Sequence, residues 1–314
     1  MIAIGNFDGV HRGHRAVIEA TAEIAQAESA PLGVLTFEPH PRAVLGAPGA
    51  PFRLTPLRIK AHALRALGVE RLHLIHFSRA LAGKSPEQFV RDVLVEGIGA
   101  KHLVVGEDFA FGKGRAGNPA LLRRVAGGAG IGVSVIAPKG EGGEKFSSSD
   151  ARRLVQTGRI EDAAGILGRW FELEGRIATG DRRGRTLGFP TANLGLTGLL
   201  HPPAGVYALY AGVEGPSGPV WRPAVGNLGK RPTFGGQEER LEVHLFDFSG
   251  DLYGRRVCFR FVATLRPERK FDGLDALKAQ IALDCREARA ILARERPEGP
   301  RLGRAENELE QAST

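Results

Sequence analysis

Residues 5–14, GNFDGVHRGH, constrain this chain most, because they join a short apolar stretch, MIAI, to a helical run that begins near Arg12. Residues 1–4 are apolar and partly β-branched, so they read as a buried strand. Gly5, Gly9 and Gly13 let the backbone turn tightly and come close to a ligand. Beyond them, Val17, Ile18, Thr21, Ile24 and Ala25 recur at helical spacing and give the helix a core face. His11 and His14 stand three apart at the mouth of that helix, so both imidazoles can address one spot. A helix N-terminus offers unpaired N–H groups and the positive end of a dipole, which suits a phosphate. Two histidines there can hydrogen-bond the charge that builds up as a phosphoryl oxygen bridge breaks. The plain alternative is an Asp-Gly turn followed by two exposed histidines.

At 314 residues the chain is long enough for two domains, each with its own core. Its hydrophobic and charged fractions, 42% and 25%, are those of an ordinary globular protein. No run approaches the roughly 18 apolar residues of a bilayer span, and no signal peptide precedes the first strand, so the cytoplasm is the expected compartment. Two cysteines, Cys258 and Cys285, are too few for a disulfide framework or a metal cluster. The net charge of +8 fits either nucleic acid or polyanionic small substrates. The basic residues are scattered without interleaved aromatics, which favours small substrates over a nucleic-acid groove.

Up to about residue 167 strand and helix alternate. Residues 32–37 read as a second strand, followed by the Pro-punctuated loop EPHPR. Thr55 as cap and Pro56 at the first turn open a helix that stops at Gly68. Further strands are expected at 71–77, 101–105 and 131–137, with helices at 86–96 and 119–125 between them. Such alternation implies a parallel sheet covered on both faces, with ligands at the carboxyl ends of its strands. Two nucleotide motifs fail here. AGKS at 82–85 lacks the earlier glycine of a P-loop, and Ser85–Gln88 reads as a capping box. Residues 112–117 fit G-x-G-x-x-G but lie past their strand, with no acidic residue about twenty positions on.

The loop GEDFAFGKGRAGN offers Asp108 and Asn118 as polar groups, and Phe109 and Phe111 as rings that could line a flat aromatic ligand. A glycine-rich flap, 140–145, runs into SSSDARR. There Ser147 to Ser149 supply hydroxyls at a helix start and Arg152 a fork for phosphate oxygens. A plain serine cap with surface arginines would look similar.

From Trp170 the grammar changes to short strands separated by Gly and Pro, at 171–179, 205–213, 221–227, 240–248 and 255–265. These read as a small antiparallel barrel. One amphipathic helix from Leu274 to about Leu292 carries Leu277, Ile281, Cys285, Ala288 and Leu292 on one face. The polar tail from Glu295 is expected to be disordered. In the barrel, GDRRGRTLGFPTANL begins with a loop at Gly180 that could fold over phosphates. Thr191 and Asn193 are two apart, so an extended backbone puts both on one face, as hard oxygen donors suited to Mg²⁺. In LEVHLFDF the apolar Leu241, Val243 and Leu245 alternate with Glu242 and His244. Glu242 therefore lies on the opposite face, either as a proton acceptor or as a solvated surface carboxylate.

Together GNFDGVHRGH, TFEPHPR, GEDFAFG, SSSDARR, GFPTANL, GVYA, PTFGG, LEVHLFDF and DLYGR resemble the prokaryotic bifunctional riboflavin kinases/FMN adenylyltransferases, or FAD synthetases, over nearly the whole chain. H-x-G-H alone marks only the nucleotidyltransferase superfamily; PTAN followed by EVHLFDF is far more specific. The resemblance implies a Rossmann-like nucleotidyltransferase domain at 1–168, which transfers AMP from ATP to FMN and releases pyrophosphate. It implies a riboflavin kinase barrel with a C-terminal helix at 169–294, which phosphorylates the ribityl 5′-hydroxyl, and a tail at 295–314. ATP is the co-substrate, Mg²⁺ the metal, and riboflavin, FMN and FAD the substrates and products. Gly5, Phe7, His11, His14, Ser147, Ser148 and Arg152 would hold the ATP of the first domain, with His40, Asp108, Phe109 and Phe111 at its flavin. In the second, Gly180, Thr191 and Asn193 would hold Mg·ATP, with Glu242 as base. The family pattern has a short segment before the first strand, whereas here the strand begins at Met1. It reads S-S-T-x-I-R where this chain has Ser149 and Ala151, and Trp170 stands where many relatives have proline. Two rival functions are a monofunctional adenylyltransferase with a flavin-sensing barrel and an RNA-binding barrel fused to a nucleotidyltransferase.

Overall fold

The structure, a computed structural model, describes residues 1–47, 49–141, 144–178, 191–215, 218–233 and 236–300. The chain divides into two compact units, Met1–Gly49 with Thr55–Ser147, and Ala50–Leu54 with Ser148–Thr314. Among the described residues no helix is long and apolar enough to cross a membrane.

The first unit is built on five parallel strands, β1 (Ile2–Ile4), β2 (Gly33–Glu38), β3 (Arg71–His76), β4 (His102–Gly106) and β5 (Gly132–Ile136), in the order β3-β2-β1-β4-β5. Its helices are α1 (Arg12–Ala27), α2 (Pro41–Leu45), α3 (Leu57–Ala66), α4 (Arg79–Ala82), α5 (Pro86–Gln88) and α6 (Pro119–Gly128). From Phe89 the helix expected at 86–96 is wound as a π-helix, Phe89–Gly97. The central strands are buried on both faces, which is why they read as continuous apolar runs. Ile2, Ile4, Leu103 and Val105 pack with Phe89, Leu94 and Leu122 on one side. Ala3, Val34 and Val104 meet Val17, Ile18 and Leu64 of α1 and α3 on the other. The strand order reverses between β1 and β4, so the loops leaving their carboxyl ends flank the crevice where open sheets of this kind bind ligands. A two-stranded hairpin, β6 (Gly140–Glu141) and β7 (Glu144–Lys145), follows β5.

Thr55 does not cap α3, whose cap residue is Pro56 with no side-chain bond. Its hydroxyl is used elsewhere: it accepts from Gly9 N at 2.9 Å and donates to Asp8 Oδ1 at 3.3 Å.

The second unit begins with α7 (Ser148–Gln156) and α8 (Ile160–Leu167), two helices that the sequence grouped with the first domain. They pack Ala151, Leu154, Val155, Ile160 and Leu167 onto the same core as the sheet that follows. That antiparallel sheet has six strands: β8 (Phe171–Arg176), β9 (Ala192–Gly195), β10 (Gly205–Gly215), β11 (Gly218–Thr233), β12 (Gly236–Leu245) and β13 (Arg256–Pro267). Their order is β8-β13-β10-β11-β12-β9. Ala178 bridges to Asn193, so the two edges meet and the sheet curls into a barrel. Five strands were legible as apolar runs. The sixth, β9, is four residues long and follows a proline, too short for its alternation to show.

Alternate residues face the barrel interior, among them Leu194, Leu209, Leu228, Leu241, Val243 and Phe259. Burial of each such side chain contributes about 1.5–3 kcal/mol. The opposite face carries Val206, Ala208, Tyr210, Val225 and Val262, covered by Ala288 and Leu292 of α9 (Leu274–Leu292). Trp170 belongs to that outer core: it is 3% exposed and donates Nε1–H to Arg296 O at 2.8 Å. Residues 295–300, expected to be disordered, are tied down by that bond and by Arg260 donating to Pro297 O. α9 also buries Asp284, which holds Arg266 of β13 through two oxygens.

Candidate active sites

In the first unit the β1–α1 loop is held in an unusual backbone form. Phe7 and Val10 have φ of 47° and 43°, and Gly9 has 89°. Left-handed backbone at a bulky or β-branched residue costs on the order of 1–3 kcal/mol and persists only where surroundings over-determine it. Three restraints do so here. Asp8, 3% exposed, accepts from Thr55 N at 3.0 Å. Phe7 and Val10 are sealed into the core at 1% and 2% exposure. Lys60 of α3, 1% exposed, drives its ammonium onto Asn6 O at 2.6 Å, where Thr36 Oγ1 of β2 also donates at 3.0 Å.

The two histidines sit on this base. His11 caps α1, its Nδ1 accepting from His14 N at 3.3 Å, which leaves Nε2 as the protonated donor of the neutral ring. The rings stack at 3.6 Å between centroids, 18° from parallel, and Phe7 meets His14 edge-on at 5.2 Å. Gly13 makes this possible: a Cβ there would stand 3.1 Å from the His11 ring. Burial is the main reason that the His11 pKa falls to about 4, against an opposing pull from Asp8 and Asp108. The His14 pKa is also well below its ordinary value, by burial first, then by His11 and Lys60. Its Nδ1 is sealed from water without a partner among the described residues. Both rings are therefore neutral at pH 7, and two imidazolium ions would not stack.

The other expected residues of this unit divide. Asp108 is exposed on the loop after β4, the strand that pairs with β1 at the crevice. Phe109 and Phe111 stack at 5.3 Å, but Phe111 is 7% exposed and packs on Phe89, so it serves the core. His40 caps α2, accepting from Arg42 N at 3.1 Å, just after the cis Glu38–Pro39 peptide. Gly5 lies under the Phe7 ring, where a Cβ would come within 3.2 Å. Ser147 ends this unit, whereas Ser148 opens α7 in the second. There Arg152 donates Nε–H to Phe52 O at 2.5 Å. Sequence reading missed Arg12, which with Gly13 separates the histidines. It stacks on Phe146 at 4.3 Å and pairs with Glu141 of the β6–β7 hairpin at 2.7 Å. It also missed Lys60, since a lysine in an amphipathic helix reads as surface.

In the second unit Gly180 lies outside the described residues. Asn193 and Glu242 are Cα partners across β9 and β12, so their side chains rise from the same face. That face is the outer one, since Leu241 and Val243 point into the barrel core. Asn193 is 6% exposed and its Nδ2 leans to Thr191 O at 3.4 Å.

Two family profiles match in tandem: one described as FAD synthetase covers residues 1–150, and one described as riboflavin kinase covers residues 167–292. The chain is 39% identical to the bifunctional riboflavin kinase/FMN adenylyltransferase of Escherichia coli K12, across 95% of this chain and 94% of that protein. The chain belongs to the bifunctional riboflavin kinases/FMN adenylyltransferases. The family member of Bacillus subtilis 168 is 39% identical, with 92% and 91% of the two chains covered, and that of Pseudomonas fluorescens is 40% identical, with 92% of each covered. A solved structure titled a macrolide-efflux protein from Streptococcus pneumoniae has this fold, with a TM-score of 0.81 and 29% identity over 92% of this chain and 93% of that one. As a family member the chain works on riboflavin, FMN and ATP.

Proposed function

We propose that the two activities divide between the units, with adenylyl transfer to FMN in the first and riboflavin phosphorylation in the second. What carries the kinase half is the pairing of Asn193 with Glu242 on one face of the sheet. Glu242 takes the proton of the ribityl 5′-hydroxyl as that oxygen bonds to the γ-phosphorus of ATP. The bond from that phosphorus to the bridging oxygen breaks, and ADP leaves. Phosphoryl transfer of this kind needs mainly positioning and charge neutralisation, so few residues suffice. Thr191 Oγ1 and Asn193 Oδ1 are hard oxygen donors of the sort that hold Mg²⁺ together with nucleotide phosphates. When bound there, the ion neutralises charge that develops on the phosphates.

In the first unit His11 offers Nε2–H to the triphosphate beside the N-terminus of α1, and His14 stacks behind it. Neutral rings donate without the repulsion two charged ones would suffer. Asp108, Phe109 and His40, on the loops after β4 and β2, are assigned to FMN, and Ser147, Ser148 and Arg152 to the triphosphate by their place in the family motif. Phe111 supports that pocket through its stack on Phe109. The cytoplasm is the compartment in which such an enzyme meets its substrates.

One incubation tests this: riboflavin, ATP and Mg²⁺ with the full chain, followed by chromatography. FMN should appear first and then FAD. FMN accumulation without FAD, even from added FMN, overturns the first assignment; FAD from FMN but no FMN from riboflavin overturns the second.

A further inference from the structure

Glu242 has a partner on each side. Across β9 it faces Asn193, and across β11 it faces Asn227. Directly opposed residues in antiparallel strands hold their Cβ atoms about 5 Å apart and on the same face. The three side chains thus form a row, Asn193–Glu242–Asn227, which continues on β10 as Val206 and on β13 as Arg266. Leu228 and Ala224, with the other parity on β11, point into the barrel core, so Asn227 faces outward with Glu242.

We propose that Asn227 is a positioning residue for the kinase step, whose amide donates to one oxygen of the Glu242 carboxylate and turns the other toward the substrate hydroxyl. This rests on the reading of Glu242 as base. A carboxylate that must accept a proton along one direction needs its rotation fixed, and a neutral amide does that without adding charge. Asn193 is less suited, because its Nδ2 leans along its own strand to Thr191 O. Asn227 is half-buried and makes no side-chain hydrogen bond among the described residues.

Charged groups flank the row. Arg266 is held by Asp284 of α9. Arg240 and His244 lie two residues to either side of Glu242 on β12, each paired with other positions of β11, Gly229 and Val225. Glu268 stands over Gly229.

The test compares Asn227→Ala, Asn227→Asp and Asn227→Ser in the full chain. Steady-state riboflavin phosphorylation is followed at varied riboflavin and varied Mg·ATP, and thermal unfolding serves as the fold control. Asn227→Ala should lower kcat about tenfold, the scale of one directed hydrogen bond. KM for riboflavin and for Mg·ATP should stay unchanged. Asn227→Asp, nearly isosteric but without the amide donor, should lower kcat at least as far. Asn227→Ser keeps a donor and should recover part of kcat. Unchanged kcat in Asn227→Ala and Asn227→Asp overturns the proposal, as does a rise in riboflavin KM alone, which would make Asn227 a substrate contact. Glu242→Gln run alongside separates the two failures. If Glu242→Gln turns over normally, the base reading falls and this one with it. If Glu242→Gln is crippled while the Asn227 variants are normal, this proposal alone falls.

Discussion

Asn193 and Glu242 face each other across β9 and β12, an amide set beside a carboxylate on the same outward face of one sheet. The pairing turns two weak motifs into one arrangement. It also fixes what each substitution should do.

Glu242→Gln keeps size and hydrogen bonding but removes the proton acceptor. Riboflavin phosphorylation should fall by roughly 10²–10⁴-fold, the usual contribution of a positioned base. Thr191→Ala should act differently, raising the Mg·ATP requirement more than it lowers saturated turnover. Initial rates at varied Mg·ATP distinguish the two. A Glu242→Gln enzyme with normal turnover would return that strand to an ordinary solvated surface.

His14→Ala should suppress conversion of FMN to FAD by a hundredfold or more. Loss of a preorganised donor or its support costs on the order of 3 kcal/mol at the transition state. Riboflavin phosphorylation, assigned to the other unit, is the internal reference. Equal loss of both activities would show that the substitution unfolds the chain instead of removing a functional group.

The fold's outline was legible because burial on both faces leaves apolar runs at β2 and β4, and one-sided burial leaves alternation at β12. The H-x-G-H and PTAN motifs were legible because their residues lie within a few positions of one another. What escaped notice depends on contacts between distant segments. Thr55 looks like a helix cap by local spacing, yet its hydroxyl is drawn to Asp8 and Gly9, whose distorted loop needs it more. Trp170 made no sense locally, and its partner Arg296 lies at the other end of the unit. The row that joins Asn227 to Glu242 exists only through strand register, which no local pattern encodes.

The buried histidines make the first unit acid-sensitive. His11 has a folded pKa of about 4 against an ordinary value of 6.5, so the unfolded chain binds more protons between those limits. Stability is therefore full above pH 6.5 and falls as pH drops toward 4, by on the order of 3 kcal/mol from this group. His11→Gln cannot titrate. The stability difference between wild type and His11→Gln, measured by denaturant unfolding, should shift against the wild type by about that amount from pH 7 to pH 4. Parallel pH curves for the two proteins would show that His11 is not held neutral. ATP, whose charge favours the protonated ring, should lessen the effect.

Lys60 offers a sharper separation of stability from activity. Its ammonium is 1% exposed and donates to Asn6 O, the carbonyl that leads into the strained Phe7. Burying a cation costs several kcal/mol in desolvation, and the bonds to Asn6 O and Thr36 Oγ1 offset that cost. Lys60→Met removes cost and bonds together, so the thermal midpoint should stay near that of the wild type. The β1–α1 loop, however, would lose one of the bonds that hold Asn6, and the crevice would lose a positive charge close to His14. A donor lost from such a site is worth about 1–3 kcal/mol, so FAD formation should drop by roughly ten- to a hundredfold. Lys60→Arg restores the charge but brings a planar fork into a space that holds a point charge, so it should recover little. Riboflavin phosphorylation measured on the same samples supplies the reference. A Lys60→Met protein that makes FAD at the wild-type rate would show that Asp8, Thr36 and Thr55 hold the loop without it. One that melts well below the wild type would show that the lysine's bonds outweigh its desolvation.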